Sequence, residues 1–155
     1  MTTGSEYASA LEHSFAELLV LYDQLTPAQI EQGAVGDGWT PKTLLAHVAY
    51  WDDFQTRRMQ DALLGTTAAS GVAQPVGGND ARLQADQTRN WEEVLAQAQA
   101  HRSRMIGFAY GLDEAALTAK YPEGERSLVL ACLLQHMVNH TTEHTEQLRA
   151  FVESR

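Results

Sequence analysis

From Arg126 to Glu153 the chain runs without a glycine or a proline, and its stripe recurs at alternating steps of three and four: Leu130, Leu133, Met137, His140, His144, Gln147, Phe151. Each helical residue turns about 100°, so positions three and four apart share one face. The pattern therefore predicts a long amphipathic helix. It also places two histidines where the stripe otherwise keeps mostly apolar residues.

Three earlier segments repeat the pattern. Ser5–Leu25 carries Leu11, Phe15, Leu18, Tyr22 and Leu25 at the same spacing. Thr26-Pro27 then reads as an N-cap and first helical residue, opening a short turn of helix. Gly33, Gly36 and Gly38 make Gln32–Trp39 a loop. Thr40-Pro41 is a second cap signal, and Leu44, His47, Trp51, Phe54 and Arg58 predict a helix to about Leu64. Asn79 or Asp80 is the expected cap of a third long helix to about Tyr110, with Trp91, Val94, Ala98, Met105, Phe108 and Leu112 facing inward. Gly111–Asp113 ends it, Tyr121–Gly124 reads as a loop, and no alternating pattern long enough for a useful strand is visible. The expectation is one all-α domain over residues 1–155, a four-helix bundle. Gly65–Gly78, between the second and third helices, could extend to about 46 Å. A 24-residue helix is only about 36 Å long, so this crossover can return along the bundle and leave those helices parallel.

Composition narrows the partners. A net charge of −9 lacks the footprint of a phosphate-backbone binder, so no nucleic acid is expected. There is no basic face for an anionic membrane, and no apolar run nears the ~18 residues of a span. The one cysteine, Cys132, excludes an internal disulfide framework or a Cys-based zinc finger, and is expected to be a small buried residue. With no basic and apolar leader after Met1, the expected compartment is the cytoplasm.

The six histidines carry the chemistry. With His140 at zero on the helical wheel, His144 lies at about +40°, Leu133 and Phe151 near +20° and Met137 near +60°. Both histidines are thus expected at the middle of the core-facing stripe, with His136 on its flank at about −40°. Histidines four apart have Cβ atoms about 5–6 Å from each other. Their ring nitrogens can then reach one cation at about 2.0–2.1 Å. His47, on the inner face of the second helix, is the third member. Taken singly, His47 reads more readily as a hydrogen-bonded core residue. The trio favours metal, because burying imidazoles unsatisfied costs roughly 1–3 kcal/mol for each group. Three histidines leave a coordination position for water or substrate, which is the catalytic pattern. Such ligands suit zinc, nickel, copper or iron better than calcium or magnesium. His136 competes as a ligand, and is otherwise a supporting group or proton shuttle. His13 is expected in solvent, and His101 in a partly buried structural role. Glu143 directly precedes His144 and lies about 100° round the helix, a poor place for the metalloprotease base. The paired Glu-x-x-His of di-iron bundles, the phosphate loop and the Gly-x-Ser-x-Gly elbow are all missing.

Two stretches resemble a known family. Gly38-Trp-Thr-Pro-Lys-Thr-Leu-Leu-Ala-His47-Val-Ala-Tyr-Trp51 is similar to the second-helix motif of the DinB/YfiT-like superfamily. Gln135-His-Met-Val-Asn-His140-Thr-Thr-Glu-His144-Thr-Glu-Gln-Leu-Arg149 is similar to its fourth-helix motif. The middle, Asn79–Arg82 through Trp91–Leu95, also resembles members of that group, so the likeness covers about Glu6 to Phe151. The resemblance implies an up-down-down-up bundle, a homodimer, and a divalent metal, zinc first and nickel next, on His47, His140 and His144. Its best-understood members are mycothiol-dependent isomerases and bacillithiol transferases, and others are hydrolase-like self-resistance proteins.

The expected function is a metal-dependent thiol transferase or hydrolase acting on a small electrophilic substrate, with a low-molecular-weight thiol as possible cosubstrate. His136 is the candidate catalytic residue, with Trp51, Arg58 and Tyr50 as candidate pocket walls. Two readings compete: a non-catalytic stress-associated binder of a small molecule or metal, and a dimeric bundle with buried, metal-free histidines.

Overall fold

Side chains that cap exposed backbone amides start most of the helices. In the computed structural model, which describes residues 1–66 and 78–155, α1 covers Gly4–Tyr22 and begins at a capping box of Thr3 and Glu6. Thr26 and Gln29 form a second box opening α2, Pro27–Gln32. Thr40 and Thr43 form a third, opening α3, Pro41–Leu64, which stops at Gly65 with φ +71°. The final long helix, α7, spans Leu130–Ser154. The Gly65–Gly78 crossover falls largely outside the described residues.

The expected third helix is two. α4 covers Gly78–Asp86 and α5 covers Trp91–Tyr110. Positions 79 and 80 lie inside α4, and the N-cap of α5 is Asn90. Asn90 makes the break: its side chain accepts from the Glu92 and Glu93 amides, a bond that competes with helix continuation. The Gln87 carbonyl freed there accepts from buried Lys42 Nζ at 3.0 Å, which ties the break to α3. The segment after α5 also differs from a plain loop. It holds a short helix, α6, Glu114–Thr118, and a hairpin of β1, Tyr121–Glu123, with β2, Arg126–Leu128. Tyr121 pairs with Leu128 and Glu123 with Arg126 around Gly124, φ +60°. Strands of three residues are too short for alternation to show in a sequence.

Residue pairings give the helix directions. Ala49, Asp52 and Asp53 of α3 meet His101, Arg102 and Arg104 of α5 in the same order, so these helices are parallel. Tyr22 stacks on Trp91, while Leu11 meets Arg102, so α1 opposes α5. Arg102 links Leu11 to Thr141, and Arg155 donates to the Gln24 carbonyl, so α1 and α7 run together. The order is up-down-down-up for α1, α3, α5 and α7. Among the described residues no helix is long and apolar enough to cross a membrane.

The core is split along the axis. One apolar cluster joins Phe15, Leu18, Leu44, Leu45, Val94 and Leu148, and the other Leu11, Met59, Met105, Leu130, Leu134 and Met137. Between them lies a polar layer of Ser14, Asp52, Arg102 and Thr141, each buried. Arg102 Nε and Nη2 donate to the two Asp52 carboxylate oxygens at 2.8 and 3.1 Å. Nη2 also meets Thr141 Oγ1 at 2.5 Å, and Nη1 donates to the Leu11 carbonyl at 3.2 Å. Burial pushes the Asp52 carboxyl up, and Arg102 pulls it back by charge and hydrogen bonding.

Candidate metal centre

On α7 the deepest row is not the histidine row. Leu134, Thr141, Thr145 and Leu148 are at most 1% exposed. His140 and His144 are half-buried at the edge, about 100° from that centre for His140. The expectation that both histidines hold the middle of the stripe is thus corrected. Two threonines take that place because each hydroxyl donates to the carbonyl four residues earlier, Thr141 to Met137 at 3.0 Å and Thr145 to Thr141 at 2.8 Å. A threonine so satisfied packs as an apolar side chain. The histidines instead face the gap between α7 and α3.

Across that gap stands His47. Its Nε2 lies 3.1 Å from His140 Nε2, and His144 Nε2 lies 3.1 Å from the same atom. The three candidate ligand atoms are all within 4.8 Å of one another. Nitrogens 3.1 Å apart subtend roughly 100° at a point about 2.05 Å from each, near the tetrahedral angle that zinc prefers.

Electrostatics prepare the same atoms. Burial pushes His47 down to about 4, helped by the charges of His144 and Arg82. Burial, with the neighbouring histidines, pushes His140 down to about 3. His144 is lowered by burial, against a hydrogen bond to Gln147. All three are thus neutral imidazoles at pH 7, the form that binds metal. His140 Nδ1 is buried without a partner among the described residues. A hydrogen-bonded protein core rarely leaves such a ring atom unmatched. This donor set fits a divalent cation of the zinc class.

The sequence stripe contains Gln147 but does not reveal its role. Its Nε2 donates to the Val35 carbonyl at 3.0 Å, which turns its Oε1 toward His144 Nδ1 at 3.1 Å. The Nδ1 proton therefore sits on the glutamine side, and Nε2 keeps its lone pair. Val35 and Trp39 belong to the glycine-rich loop. Gly36 and Gly38, with φ +105° and +81°, let that loop turn back so that the Trp39 ring meets His47 at 4.7 Å between centroids. Spacing alone gives no signal for this support, because it depends on the loop folding over the end of α3.

A cleft of about 350 Å³ opens beside the cluster, lined by His47, Trp51, Gln55, His136, Met137 and His140. His136 is exposed, and its ring stacks at 6.3 Å from that of His140. It therefore stands on the cleft wall beside the trio. Trp51 lines the cleft as expected, while Tyr50 packs under the Arg82 guanidinium at 3.5 Å, and Arg58 pairs with Glu123. His101 has a structural contact, with Nδ1 3.0 Å from the Ala49 carbonyl, and His13 is exposed. Cys132 is exposed, against the expectation of burial. Its position faces solvent because α7 buries the neighbouring Leu130, Leu133 and Leu134 instead.

The backbone is similar to that of solved proteins. YfiT from Bacillus subtilis, described as a probable metal-dependent hydrolase with an unusual four-helix bundle topology, superposes with TM-score 0.79 at 17% identity. That match covers 97% of this chain and 86% of YfiT. The mycothiol-dependent maleylpyruvate isomerase superposes with TM-score 0.75 at 17% identity, over 96% of this chain. This chain spans only 63% of the isomerase's length. No curated protein sequence matches significantly. At such identities the backbone likeness establishes the fold, and membership comes from the sequence itself. The DinB superfamily profile runs through residues 10–148, across both histidine-bearing helices, and the chain belongs to that superfamily.

Proposed function

We propose that the protein is a metal-dependent enzyme acting on a small electrophile, as a thiol S-transferase or a hydrolase. The observation that carries this reading is the meeting of three neutral imidazole Nε2 atoms at one end of a cleft. His47, His140 and His144 would hold the cation, and Gln147 keeps His144 in the ligating tautomer. The all-imidazole set makes zinc the first candidate and nickel the next. A cation with an open position supplies a nucleophile near neutral pH by lowering the pKa of a thiol or water. Trp39 and Trp51 exclude solvent around His47. His136, on the cleft wall, takes the released proton on a ring nitrogen. Likeness to a mycothiol-dependent isomerase supports a low-molecular-weight thiol as cosubstrate. One observation favours a non-catalytic binder instead: among the described residues no carboxylate lines the cleft.

Elemental analysis of the purified protein tests the centre. About one zinc or nickel per chain is expected in the wild type. His47→Ala and His144→Ala should hold little. Wild-type protein that stays metal-free after reloading would overturn the reading. Turnover of an electrophile by loaded protein, with and without thiol, separates the alternatives: thiol-dependent turnover marks a transferase, thiol-independent turnover a hydrolase, and none the binder.

A further inference from the structure

The cleft has a second end, where one side chain is oriented but not used. Gln55 stands two turns beyond His47 on α3, about 12 Å along the axis. It lines the cleft with Trp51, His136 and Met137, and is 8% exposed. Its Oε1 accepts from Arg58 Nη1 at 3.2 Å. Glu123 of β1 holds Arg58 in turn: Nε donates to Oε2 at 2.8 Å, and Nη2 donates to Oε1. A guanidinium has donors only, so the Gln55 oxygen must face Arg58, and the usual ambiguity of an amide's orientation is removed.

The Gln55 amide nitrogen is therefore turned away from Arg58, and no hydrogen-bond partner meets it among the described residues. It is not sealed in the protein either, because the sealed, unpaired side-chain atoms there are Arg82 Nε and His140 Nδ1. The donor thus opens onto the cleft. The Arg58–Glu123 pair cancels its own charge, so this end offers a neutral donor suited to a carbonyl oxygen rather than to a free carboxylate.

We infer that Gln55 is a specificity-determining residue. Its Nε2 hydrogen-bonds a neutral carbonyl oxygen, of an amide or ketone, on an extended thiol or electrophile whose reacting atom lies at the histidine end. The two groups of that ligand are on the order of 10 Å apart, as the helix rise between His47 and Gln55 requires. The inference rests on the metal-centre reading for the far end of the ligand, and on Gln55 alone for the near end.

Two measurements test it separately. In metal-free protein, the Gln55 side-chain NH2 resonances, identified by their loss in Gln55→Glu, are followed during titration with hexanamide. A saturable shift is expected, and unchanged resonances overturn the inference whatever the metal does. In metal-loaded protein, dissociation constants are compared for 6-mercaptohexanamide and hexane-1-thiol. Wild type should prefer the amide about tenfold, the worth of one hydrogen bond. Gln55→Glu keeps an acceptor for Arg58 and deletes the donor, so the preference should vanish while metal content and thermal midpoint hold. No preference in wild type, or a preference that survives in the variant, overturns the inference. If hexanamide shifts the NH2 signals while neither thiol binds loaded protein, the donor stands and the thiol reading fails.

Discussion

Two polar clusters meet at adjacent residues of α7, Thr141 and His140, and their chemistry is opposite. Around Arg102 each group finds its complement: two carboxylate oxygens, a hydroxyl and a carbonyl. Around His140 like faces like, with three ring nitrogens turned on one another and Nδ1 left unmatched. The first cluster closes on itself and joins α1, α3, α5 and α7. The second leaves a ring nitrogen unmatched by protein atoms among the described residues, and it could hold a metal ion. Buried polarity by itself therefore does not point to function; the pointer here is three ring nitrogens of one kind turned on one another.

Breaking each cluster should give different signatures. Asp52→Ala should have the largest effect, because it leaves the Arg102 guanidinium buried without its counter-charge. A loss of about 3–5 kcal/mol is expected in denaturant unfolding. A loss below about 1 kcal/mol would mean that the cluster is not the closed unit described. Gln147→Leu should instead spare the apo fold and weaken metal binding by about 10–100-fold, read by competition with a chelator. Unchanged affinity would remove Gln147 from the support of His144.

The pH response sharpens the comparison further. Burial holds His47 at about 4 and His140 at about 3, below the ordinary 6.5, and lowers His144 as well. Between those values the unfolded chain binds protons that the folded chain refuses. Stability of the metal-free protein is therefore full above about 6.5 and falls as the pH drops through about 4 to about 3. Urea midpoints against pH should show this slope in the wild type and a shallower one in His140→Leu. A flat wild-type profile would contradict the burial of neutral imidazoles. The smallest effect belongs to the surface: Arg57→Ala breaks an exposed pair with Asp53 and should change stability by less than about 0.5 kcal/mol.

The long helices were legible because burial on one face of a helix leaves a period in the sequence. The same period picked out His47, His140 and His144. It misjudged the depth of His140 and His144, since Thr141 and Thr145 count as polar until their hydroxyls are seen to bond within the helix. Asn90 was legible in principle as a cap, since the inward-facing stripe begins at Trp91, but no glycine or proline between Asn79 and Asn90 marks the break. Cys132 shows the same limit, because a small side chain leaves no periodic signal of its own.

The amino-acid order by itself determined four amphipathic helices, the length of the crossover and which histidines share a face, because these depend on neighbours within a few turns. Only the tertiary structure decided that His47 lies opposite His140, that Gln147 and Val35 orient His144, and that Gln55 turns its amide into the cleft. The contacts that decide these points, Arg58 with Glu123, His47 with His140 and Gln147 with Val35, join residues 65, 93 and 112 positions apart, and such meetings are set by helix packing rather than by any local repeat.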